Sequence, residues 1–485
     1  PQGSDVDELR VATSLRLPPG WKFGTALPVL RETPEAVEFQ PVSMTTLADS
    51  PVIAGSHFRR VPLSDGADVA HYLDMAADSQ AALELTPELI GKYRQLVAEA
   101  SALFGSRHYE RYHFLVALSE QVPWGGLEHH ESSDNRLPEK GLTEDSPRKV
   151  YADLLPHEFV HSWNGKYRRP EGLVRRDFNQ PIQTDLLWVY EGFTDYLGGV
   201  LAARSGLWSP QDFRDSLADT AAFLDNRPGR TWRPLADTTV AAQILRGAPV
   251  AWSAWRRGQD YYVESVLIWL EADTILREKS QGRYSLDDLA RRFHGGRSGP
   301  PAVSPFSSED VFAALAELVP HDWKGFFGER LNSTAARAPM NGIEASGWRT
   351  AFRDTQSDFS KAIEATSKTT DLRYSIGLSL AQDGVVRDII PGAPAAQAGM
   401  APGMKLMAVN GRRYSPALLR EAIKNAKGTA GPIELLVEDR EFYKTYRVDY
   451  HDGERYPHLE RDESRPDLLE EIIRPRASSA AATGP

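Results

Sequence analysis

The sequence predicts an α+β protein built from several domains. Its 485 residues are enough for about three domains. Short strand-like runs separated by turn residues occupy the beginning of the chain, and apolar residues with helical spacing dominate its middle. Strand and turn patterns return near residues 374–411. We therefore expect an N-terminal β-domain, a mainly helical central domain and a small β-containing domain near the C-terminus.

The composition is that of a soluble globular protein and argues against several kinds of partner. Hydrophobic residues make up 41% of the chain and charged residues 25%. The net charge of −11 argues against binding to nucleic acid or to an anionic membrane surface. No apolar run reaches the length of about 18 residues that a membrane span needs. The absence of cysteine excludes disulfides and a thiol nucleophile.

The compartment is not fixed by the residues. A chain without cysteine suits the cytoplasm and the periplasm alike. No signal peptide is visible, but the chain begins at Pro1 rather than at methionine, which suggests processing or trimming. We therefore expect a soluble protein, with a periplasmic or exported location slightly favoured over a cytoplasmic one.

The first predicted elements are strands, followed by one long helix. Residues 17–21 (LPPGW) have the composition of a turn, and residues 52–55 (VIAG) that of a short strand. Apolar residues recur with helical spacing from Leu85 to Phe104. Thr86 is the expected cap of this helix, with Pro87 at its first position.

Residues 157–161 have the sequence H-E-F-V-H, which is the H-E-x-x-H pattern. On a helix, His157 and His161 lie one turn apart on one face, as two zinc ligands do, and Glu158 lies beside them. A catalytic zinc ion takes three protein ligands and keeps one position open for water. A third ligand must therefore come from elsewhere in the chain.

Glu191 is the candidate for that third ligand. It lies 30 residues after His161, within a segment whose apolar residues have the spacing of a buried helix. A buried glutamate needs a partner, and a metal ion would serve. Asp195, one turn further on, is placed to accept the second N–H of His157 or His161. The alternative is that Glu191 and Asp195 are surface acids of an amphipathic helix.

These motifs resemble the gluzincin metallopeptidases and, within them, the glycyl aminopeptidase family. The resemblance rests on residues 157–166 (HEFVHSWNGK) and 190–196 (YEGFTDY), and it runs from about residue 10 to about residue 450. That family joins a thermolysin-like catalytic domain to a PDZ domain. The resemblance implies one zinc ion (Zn2+) per chain and a zinc aminopeptidase whose substrates are peptides with a free N-terminus. It also implies a preference for small N-terminal residues, Gly or Ala.

The resemblance divides the chain into four parts. It implies the remnant of a β-domain at 1–75, a thermolysin-like zinc peptidase domain at 76–340 and a PDZ domain at 370–452. Residues 453–485 are charged and then rich in Ala, Ser, Gly and Pro, so we expect a mobile tail. The earlier strands of the family's N-terminal domain are missing, so we expect a companion fragment or an exposed sheet edge there.

Residues 125–129 (GGLEH) follow a strand-like run at 112–118. Gly125 and Gly126 would let a substrate backbone approach closely. In related aminopeptidases a glutamate in this kind of motif binds the substrate's free α-amino group, which implies that role for Glu128. Such an ion pair would place the first peptide bond over the metal. On spacing alone, a glycine turn followed by solvated charges fits equally well.

Residues 258–265 (GQDYYVES) open a long segment with helical periodicity. Related enzymes place a tyrosine here, whose hydroxyl donates to the oxyanion of the reaction, and Tyr262 matches by position. The wider group often carries Lys-Gly two residues after the tyrosine, where this chain has Glu264 and Ser265. Tyr261 therefore stays an alternative, and both rings could instead only pack the helix start.

Near the C-terminus, residues 374–380 (YSIGLSL), 391–395 (PGAPA) and the Asn-Gly turn at 410–411 resemble a PDZ domain. In PDZ domains, the loop matching Gly377 and Leu378 presents backbone N–H groups to a peptide's C-terminal carboxylate. A peptide C-terminus is thus a candidate ligand. The alternative is a structural role in covering or orienting the catalytic domain.

The expected mechanism follows from these parts. Zinc held by His157, His161 and Glu191 would lower the pKa of a water molecule. Glu158 would take its proton as general base and pass it to the leaving amine. One alternative is a zinc endopeptidase of the same fold. Another is a PDZ peptide-binding protein with an inactive peptidase scaffold, which the presence of all three ligands and the base disfavours.

Overall fold

The computed structural model describes residues 5–64, 69–175, 179–428 and 431–478. The chain forms two compact units. The first unit consists of Pro1–Pro210, Ala272–Lys324 and Glu470–Pro485. The second unit consists of Gln211–Glu271 and Gly325–Leu469.

The first unit begins with a β-rich region, as the sequence predicts. Its short strands are Arg10–Val11, Ser14–Leu15, Lys22–Thr25, Val29–Glu32, Val37–Phe39, Val42–Ser43 and Val52–Gly55. They form one three-stranded and two two-stranded antiparallel sheets around a small core. A five-residue helix, Met44–Ala48, lies between the last two of these strands. Ser43 caps it by accepting from the Thr46 N–H.

A five-stranded sheet follows the β-rich region. Its strands, in spatial order, are Gly125–Glu128, Ser132–Leu137, Arg111–Leu118, Ala70–Ala77 and Phe58–Pro62. The three inner strands are parallel, and the two edge strands run antiparallel to their neighbours. The boundary expected at residue 75 falls inside the fourth of these strands. The predicted glycine-rich motif at 125–128 is thereby an edge strand of this sheet.

Helices cover the remainder of the first unit. The predicted helix forms at Pro87–Phe104, where the Thr86 hydroxyl accepts from the Leu89 N–H, and ends at Gly105 in the left-handed conformation. The further helices are Asp145–Val150, Leu154–Val160, Leu187–Tyr190, Gly192–Arg204, Leu286–Leu289 and Ser308–Leu318. Strands Arg168–Pro170 and Ser304–Phe306 pair in parallel. The prediction of a helical catalytic region is confirmed.

The second unit combines helices with several small sheets. Four helices include a boundary between the two units in their residue range, namely Pro210–Asp225, Val263–Ser280, Trp323–Asn332 and Leu468–Ile473. Its other helices are Leu235–Val240, Ala242–Leu245, Ser253–Arg256, Asn341–Ala345, Asp358–Ser367, Pro394–Gln397 and Pro416–Ala426. Strands Trp348–Arg353 and Tyr456–Arg461 form an antiparallel pair.

The region predicted to be a PDZ domain forms two sheets around one apolar core. One sheet has the order Thr369–Leu372, Leu378–Ala381, Val386–Ile389. The other has the order Arg412–Arg413, Lys405–Val409, Ile433–Asp439, Phe442–Val448. The assignment of these residues to the PDZ family stays a prediction.

The tail prediction for residues 453–485 needs correction where the structure describes them. Residues 456–461 form a strand, and Leu468–Ile473 form a helix whose Ile472 and Ile473 are buried. The Arg204 guanidinium donates to the Ile472 carbonyl at 2.6 and 2.9 Å. Composition did not indicate this short helix, because many charged residues surround its few apolar positions. Residues 479–485 lie outside the described residues.

In the part of the chain that the structure describes, no helix combines the length and the apolar character that crossing a membrane requires.

Candidate metal centre and active site

His157 and His161 lie at the C-terminal end of the helix Leu154–Val160. Their Nε2 atoms approach to 3.1 Å, and both side chains are largely buried. The helix reaches this position because Gly198 of the neighbouring helix has no side chain. A Cβ at residue 198 would lie 3.1 Å from the His157 Cα. The spacing predicted from the sequence is thus realised on one helix face.

Glu191 completes a cluster with these histidines, which we call the metal cluster (His157, His161 and Glu191). The Glu191 Oε2 atom lies 3.2 Å from His161 Nε2 and 3.5 Å from His157 Nε2. A tetrahedral zinc ion with bonds of about 2.0–2.2 Å separates its ligand atoms by about 3.3–3.6 Å. The three side chains therefore fit a zinc ion that touches all of them.

The electrostatics of the metal cluster also favour a cation. Burial favours the neutral imidazole of His157, but Asp195 and Glu191 together raise its pKa well above the usual value. Burial opposes ionisation of Glu191, yet His161 and His157 hold its pKa well below the usual range. Positive charge is therefore stabilised between these side chains.

The outer ring nitrogen of each histidine has its own acceptor. His157 Nδ1 lies 3.1 Å from Asp195 Oδ1, and His161 Nδ1 lies 2.9 Å from the Asn164 carbonyl. A proton on Nδ1 leaves Nε2 free to bind a metal ion. The sequence permits either histidine to face Asp195, and in the structure His157 does so.

Asn164 was not predicted as a site residue, although it lies within the H-E-F-V-H-S-W-N-G segment. It is fully buried, and its amide donates to the Val189 carbonyl at 2.8 Å and to the Thr194 hydroxyl at 3.0 Å. Asn164 thus ties the segment after the first two ligands to the helices that flank Glu191. Neither the spacing nor the composition of the motif signals this contact.

Glu158 is buried beside the metal cluster, and burial raises its pKa to about 7, although His157 and His161 oppose the rise. A Cβ at Gly126 would lie 1.9 Å from Glu158 Oε1. The glycine at 126 therefore makes room for the Glu158 carboxylate. This contact gives Gly126 a reason other than the predicted approach of a substrate backbone.

Glu128 lies next to Glu158 and to His161 of the metal cluster. One of its carboxylate oxygens, one of Glu158 and a ring nitrogen of His161 all lie within 4.8 Å of one another. The Tyr190 hydroxyl donates a short hydrogen bond to Glu128 Oε1. Burial keeps the pKa of Tyr190 well above its usual value, and Glu128 and Glu191 reinforce this, so the phenol stays a donor. Tyr190 is a further site residue that the sequence argument missed.

Gly125 and Gly165 are two further glycines at which a side chain would meet a neighbouring side chain. Gly125 has φ +156°, and a Cβ there would approach the Arg136 guanidinium to 3.2 Å. Gly165 has φ +133°, and a Cβ there would lie 2.8 Å from the Tyr190 ring. Side chains at Gly165 would therefore displace the tyrosine that holds Glu128.

Tyr262 belongs to the second unit, where it immediately precedes the helix Val263–Ser280. It is half-buried and packs against Tyr261 with ring centroids 4.9 Å apart. Tyr261 is buried, and its hydroxyl accepts from the Gln259 amide at 2.7 Å. This environment favours Tyr262 over Tyr261 for a role toward a ligand, which stays a prediction.

The departure from the family pattern at Glu264 has a structural explanation. Glu264 and Asp260 are buried with three arginines in a network that we call the arginine cluster (Arg227, Arg230, Arg257, Asp260 and Glu264). Asp260 accepts from Arg227 at 2.5 Å and from Arg257 at 2.7 Å. Glu264 accepts from Arg230 at 2.9 Å and, more closely still, from Arg257. A lysine at position 264 would leave Arg230 without its carboxylate and add a positive charge beside Arg257.

The predicted carboxylate loop at Gly377 and Leu378 already uses its backbone groups within the second unit. The N–H groups of Ile376 and Gly377 both donate to the Leu372 carbonyl at 3.1 Å. The strand Leu378–Ala381 is paired on both edges, with Thr369–Leu372 and with Val386–Ile389. A peptide strand could add there only by displacing one of these neighbours.

Comparison with known proteins supports the predicted family. Residues 150–268 match the family model of M61 glycyl aminopeptidase, and residues 1–56 match that of the peptidase M61 N-terminal domain. The predicted resemblance is therefore confirmed, and so is the prediction of a metallopeptidase of the aminopeptidase class. No curated protein matches the chain.

Two solved structures match parts or most of the chain, and the first of them supports the fold. An aminopeptidase N family protein from Idiomarina loihiensis matches with a TM-score of 0.74 and 18% identity, over 98% of this chain and 80% of that chain. An M1 zinc metallopeptidase variant from Deinococcus radiodurans matches with a TM-score of 0.41 and 17% identity, over 67% of this chain and 65% of that chain. The first match confirms the mixed fold of a β-rich region and a helical region.

Proposed function

We propose that this chain, a metallopeptidase related to the M61 glycyl aminopeptidases, is a zinc-dependent aminopeptidase that removes small N-terminal residues from peptides. One observation carries the proposal. The Glu128 carboxylate lies within 4.8 Å of both the Glu158 carboxylate and the ring of His161. An anionic group fixed beside the base and the metal ligands suits a substrate that brings its own positive charge to that place.

The proposed cofactor is one zinc ion per chain, held by His157, His161 and Glu191. The ligand separations of 3.1, 3.2 and 3.5 Å support this assignment. When bound, zinc supplies an acidified water and polarises the scissile carbonyl. Asp195 supports the site by accepting from His157 Nδ1, which keeps that ring in the tautomer and orientation that a ligand needs.

Glu158 is the proposed general base and acid. Its carboxylate takes a proton from the attacking water and later delivers it to the nitrogen of the leaving amine. Its carboxylate lies close to the ligand atoms of His161, within reach of a water that the proposed zinc ion would hold. Gly126 supports this role because it leaves the space that the Glu158 carboxylate occupies.

Glu128 is the proposed anchor of the substrate's α-ammonium group. Because it accepts from the Tyr190 hydroxyl, one carboxylate oxygen is held in place while the other can receive an N–H donor of the substrate. A fixed ammonium group sets the register of the peptide, so that its first peptide bond meets Glu158. Gly125, the first residue of the strand that carries Glu128, is the proposed point of backbone approach.

Two further elements of the proposal rest on the family resemblance. Tyr262 would donate a hydrogen bond to the oxygen of the scissile carbonyl as negative charge develops on it. The preference for N-terminal Gly or Ala is taken from the family, because pocket shape decides it. A peptide C-terminus at Gly377 and Leu378 is less favoured, since the strand there is paired on both edges.

A zinc endopeptidase of the same fold would differ at Glu128. In that case the carboxylate would hold no amine, and blocking the N-terminus of a peptide would not protect it. The second alternative, a peptide-binding protein with an inactive scaffold, conflicts with the intact arrangement of His157, Glu158, His161 and Glu191.

The test compares peptides that carry a free or an acetylated N-terminus, with each residue type at the first position, and identifies products by mass spectrometry. We expect stepwise loss of single residues from free-amine peptides, fastest for Gly and Ala. Glu128→Gln should weaken transition-state binding of free-amine substrates by roughly 1.5–3 kcal/mol, the value of a charge-assisted hydrogen bond. Glu144→Gln, at a surface glutamate paired with Lys140, is the matched control. Internal cleavage regardless of acetylation would contradict the proposal.

A further inference from the structure

Asp49 connects the β-rich region to the strand that carries Glu128. It follows the helix Met44–Ala48, and its backbone N–H donates to the Thr45 carbonyl at 2.9 Å. One carboxylate oxygen accepts from Lys166 Nζ at 2.5 Å, and the other accepts from the His130 N–H at 2.8 Å. His129 Nδ1 lies 3.3 Å from the first oxygen. All of these residues belong to the first unit.

This contact is buried and charged. The side chains of Asp49 and Lys166 are 15% and 14% exposed, and that of His129 is 7% exposed. Burial would raise the pKa of Asp49, but Lys166 and the hydrogen bond from His129 lower it far below the usual value. A buried carboxylate of this kind is stable only while its partners stay in place, so the contact holds its neighbours in fixed positions.

The neighbours form the turn that follows Glu128 directly. His129 N–H donates to the Ser132 carbonyl at 3.0 Å, which closes the turn between the two antiparallel strands. On the other side, the Ser162 hydroxyl donates to the His130 carbonyl at 2.9 Å. Ser162 comes immediately after the ligand His161. The turn is thus held from the β-rich region by Asp49 and from the metal-binding segment by Ser162.

We propose that Asp49 is a positioning residue for the substrate amine, because it fixes the turn at His129 and His130 and thereby the place of Glu128 beside the metal cluster. The inference rests on the proposed function of Glu128. It assigns a role in exopeptidase specificity to the β-rich region, whose residues do not include the metal ligands. A displacement of about 1 Å at an orienting group can cost a factor of about 100 in rate, so a loose turn would be costly.

Lys166 has a corresponding role. It lies five residues after His161, and its N–H donates to the His161 carbonyl at 2.9 Å. Lys166 therefore links Asp49, through its ammonium group, to the backbone of His161, through its N–H. The Lys166 Nζ atom lies 2.5 Å from Asp49 Oδ1, so the two side chains form a close ion pair.

The experiment measures kcat and KM of the zinc-loaded full chain with a free-amine peptide and with its acetylated counterpart. In Asp49→Asn the side chain turns an amide donor toward Lys166 or loses the contact with the turn. We expect KM for the free-amine peptide to rise by about tenfold, with kcat changing less than about threefold, because an orienting contact is lost. The double variant Asp49→Asn/Lys166→Met leaves no unpaired buried charge, and it keeps the comparison available if the single variant does not fold. It should show the same rise in KM.

The matched control is Glu38→Gln, which removes an exposed ion pair with Arg31 in the same β-rich region. It should leave both KM values unchanged, and all variants should retain the zinc content of the parent. If the parent protein discriminates against the acetylated peptide but the Asp49 variants keep its KM values, the positioning role is overturned and the proposed function stands. If the parent cleaves both peptides equally, the role of Glu128 is wrong, and the role of Asp49 is overturned with it.

Discussion

The metal cluster of the first unit and the arginine cluster of the second unit are both built from buried charged side chains, but they are organised differently. In the arginine cluster, the oxygens of Asp260 and Glu264 point at guanidinium groups 2.9 Å away or closer. In the metal cluster, two ring nitrogens and a carboxylate oxygen converge on one another at 3.1–3.5 Å. The arginine cluster supplies its own counter-charges, whereas the metal cluster leaves its three ligand atoms facing one another, as the proposed zinc ion requires.

This difference separates a structural cluster of buried charges from a functional one. Burial alone does not do so, because His161 and Arg257 are both about 1% exposed. The direction of the acceptors does. Acceptors that each face a donor form a closed ion-pair network, and acceptors that face one another leave room for a ligand.

The largest expected effect comes from Glu158→Gln, which should remove activity while leaving the fold intact. Loss of a general base lowers kcat/KM by a factor of about 10²–10⁴. The free energy of unfolding should stay the same or rise, because a buried carboxylate with a raised pKa is removed. Steady-state kinetics, zinc analysis and urea denaturation provide the three measurements. Retention of more than about a tenth of the parent kcat/KM would show that Glu158 is not the base.

The sequence contained the residues whose spacing within one helix carries the chemistry. His157, Glu158 and His161 are fixed by a repeat of one helical turn, which can be seen without a structure. Glu191 could be proposed because a glutamate in an apolar helical segment needs a partner. Their convergence in the structure depends on close packing at Gly198, which no local pattern encodes.

The contacts that sequence reasoning missed are between residues far apart in the chain. Tyr190 meets Glu128 across 62 positions, and Asp49 meets Lys166 across 117 positions. A tyrosine beside a glutamate ligand and an aspartate at a helix end are both common, so neither residue type indicates a role by itself. The need for a glycine at position 126 could not be predicted either, because it depends on the position of the Glu158 carboxylate in the fold.

The second prediction breaks the arginine cluster instead. Glu264→Gln should lower the free energy of unfolding by about 3–5 kcal/mol, because Arg230 would remain buried without its carboxylate and Arg257 would keep only Asp260. Urea denaturation at neutral pH measures the change. Glu434→Gln, in an exposed pair with Arg447, is the control and should change stability by about 1 kcal/mol or less. Equal effects at Glu264 and Glu434 would mean that the arginine cluster does not behave as a buried network.

The smallest expected effect concerns Asp219, a carboxylate that belongs to neither cluster. It lies on the helix Pro210–Asp225 in the second unit, where burial raises its pKa to about 6, although Arg373 partly offsets the rise. An unfolded aspartate titrates near pH 4. Between about pH 4 and pH 6 the folded state therefore binds more protons than the unfolded state, and the contribution of Asp219 to stability falls as pH rises.

Asp219→Asn should accordingly stabilise the protein at pH 7.5, and the gain should disappear as the pH falls toward 4. Denaturation curves of both proteins at several pH values give the difference in the free energy of unfolding. Asp383→Asn, at an exposed aspartate 3.7 Å from Lys405, is the control and should show no such dependence. A gain of equal size at pH 4 and pH 7.5 would contradict the raised pKa. A loss at pH 7.5 would mean that Arg373 pairs with Asp219 as closely as Arg257 pairs with Asp260, so that Asp219 behaves like a member of a closed network.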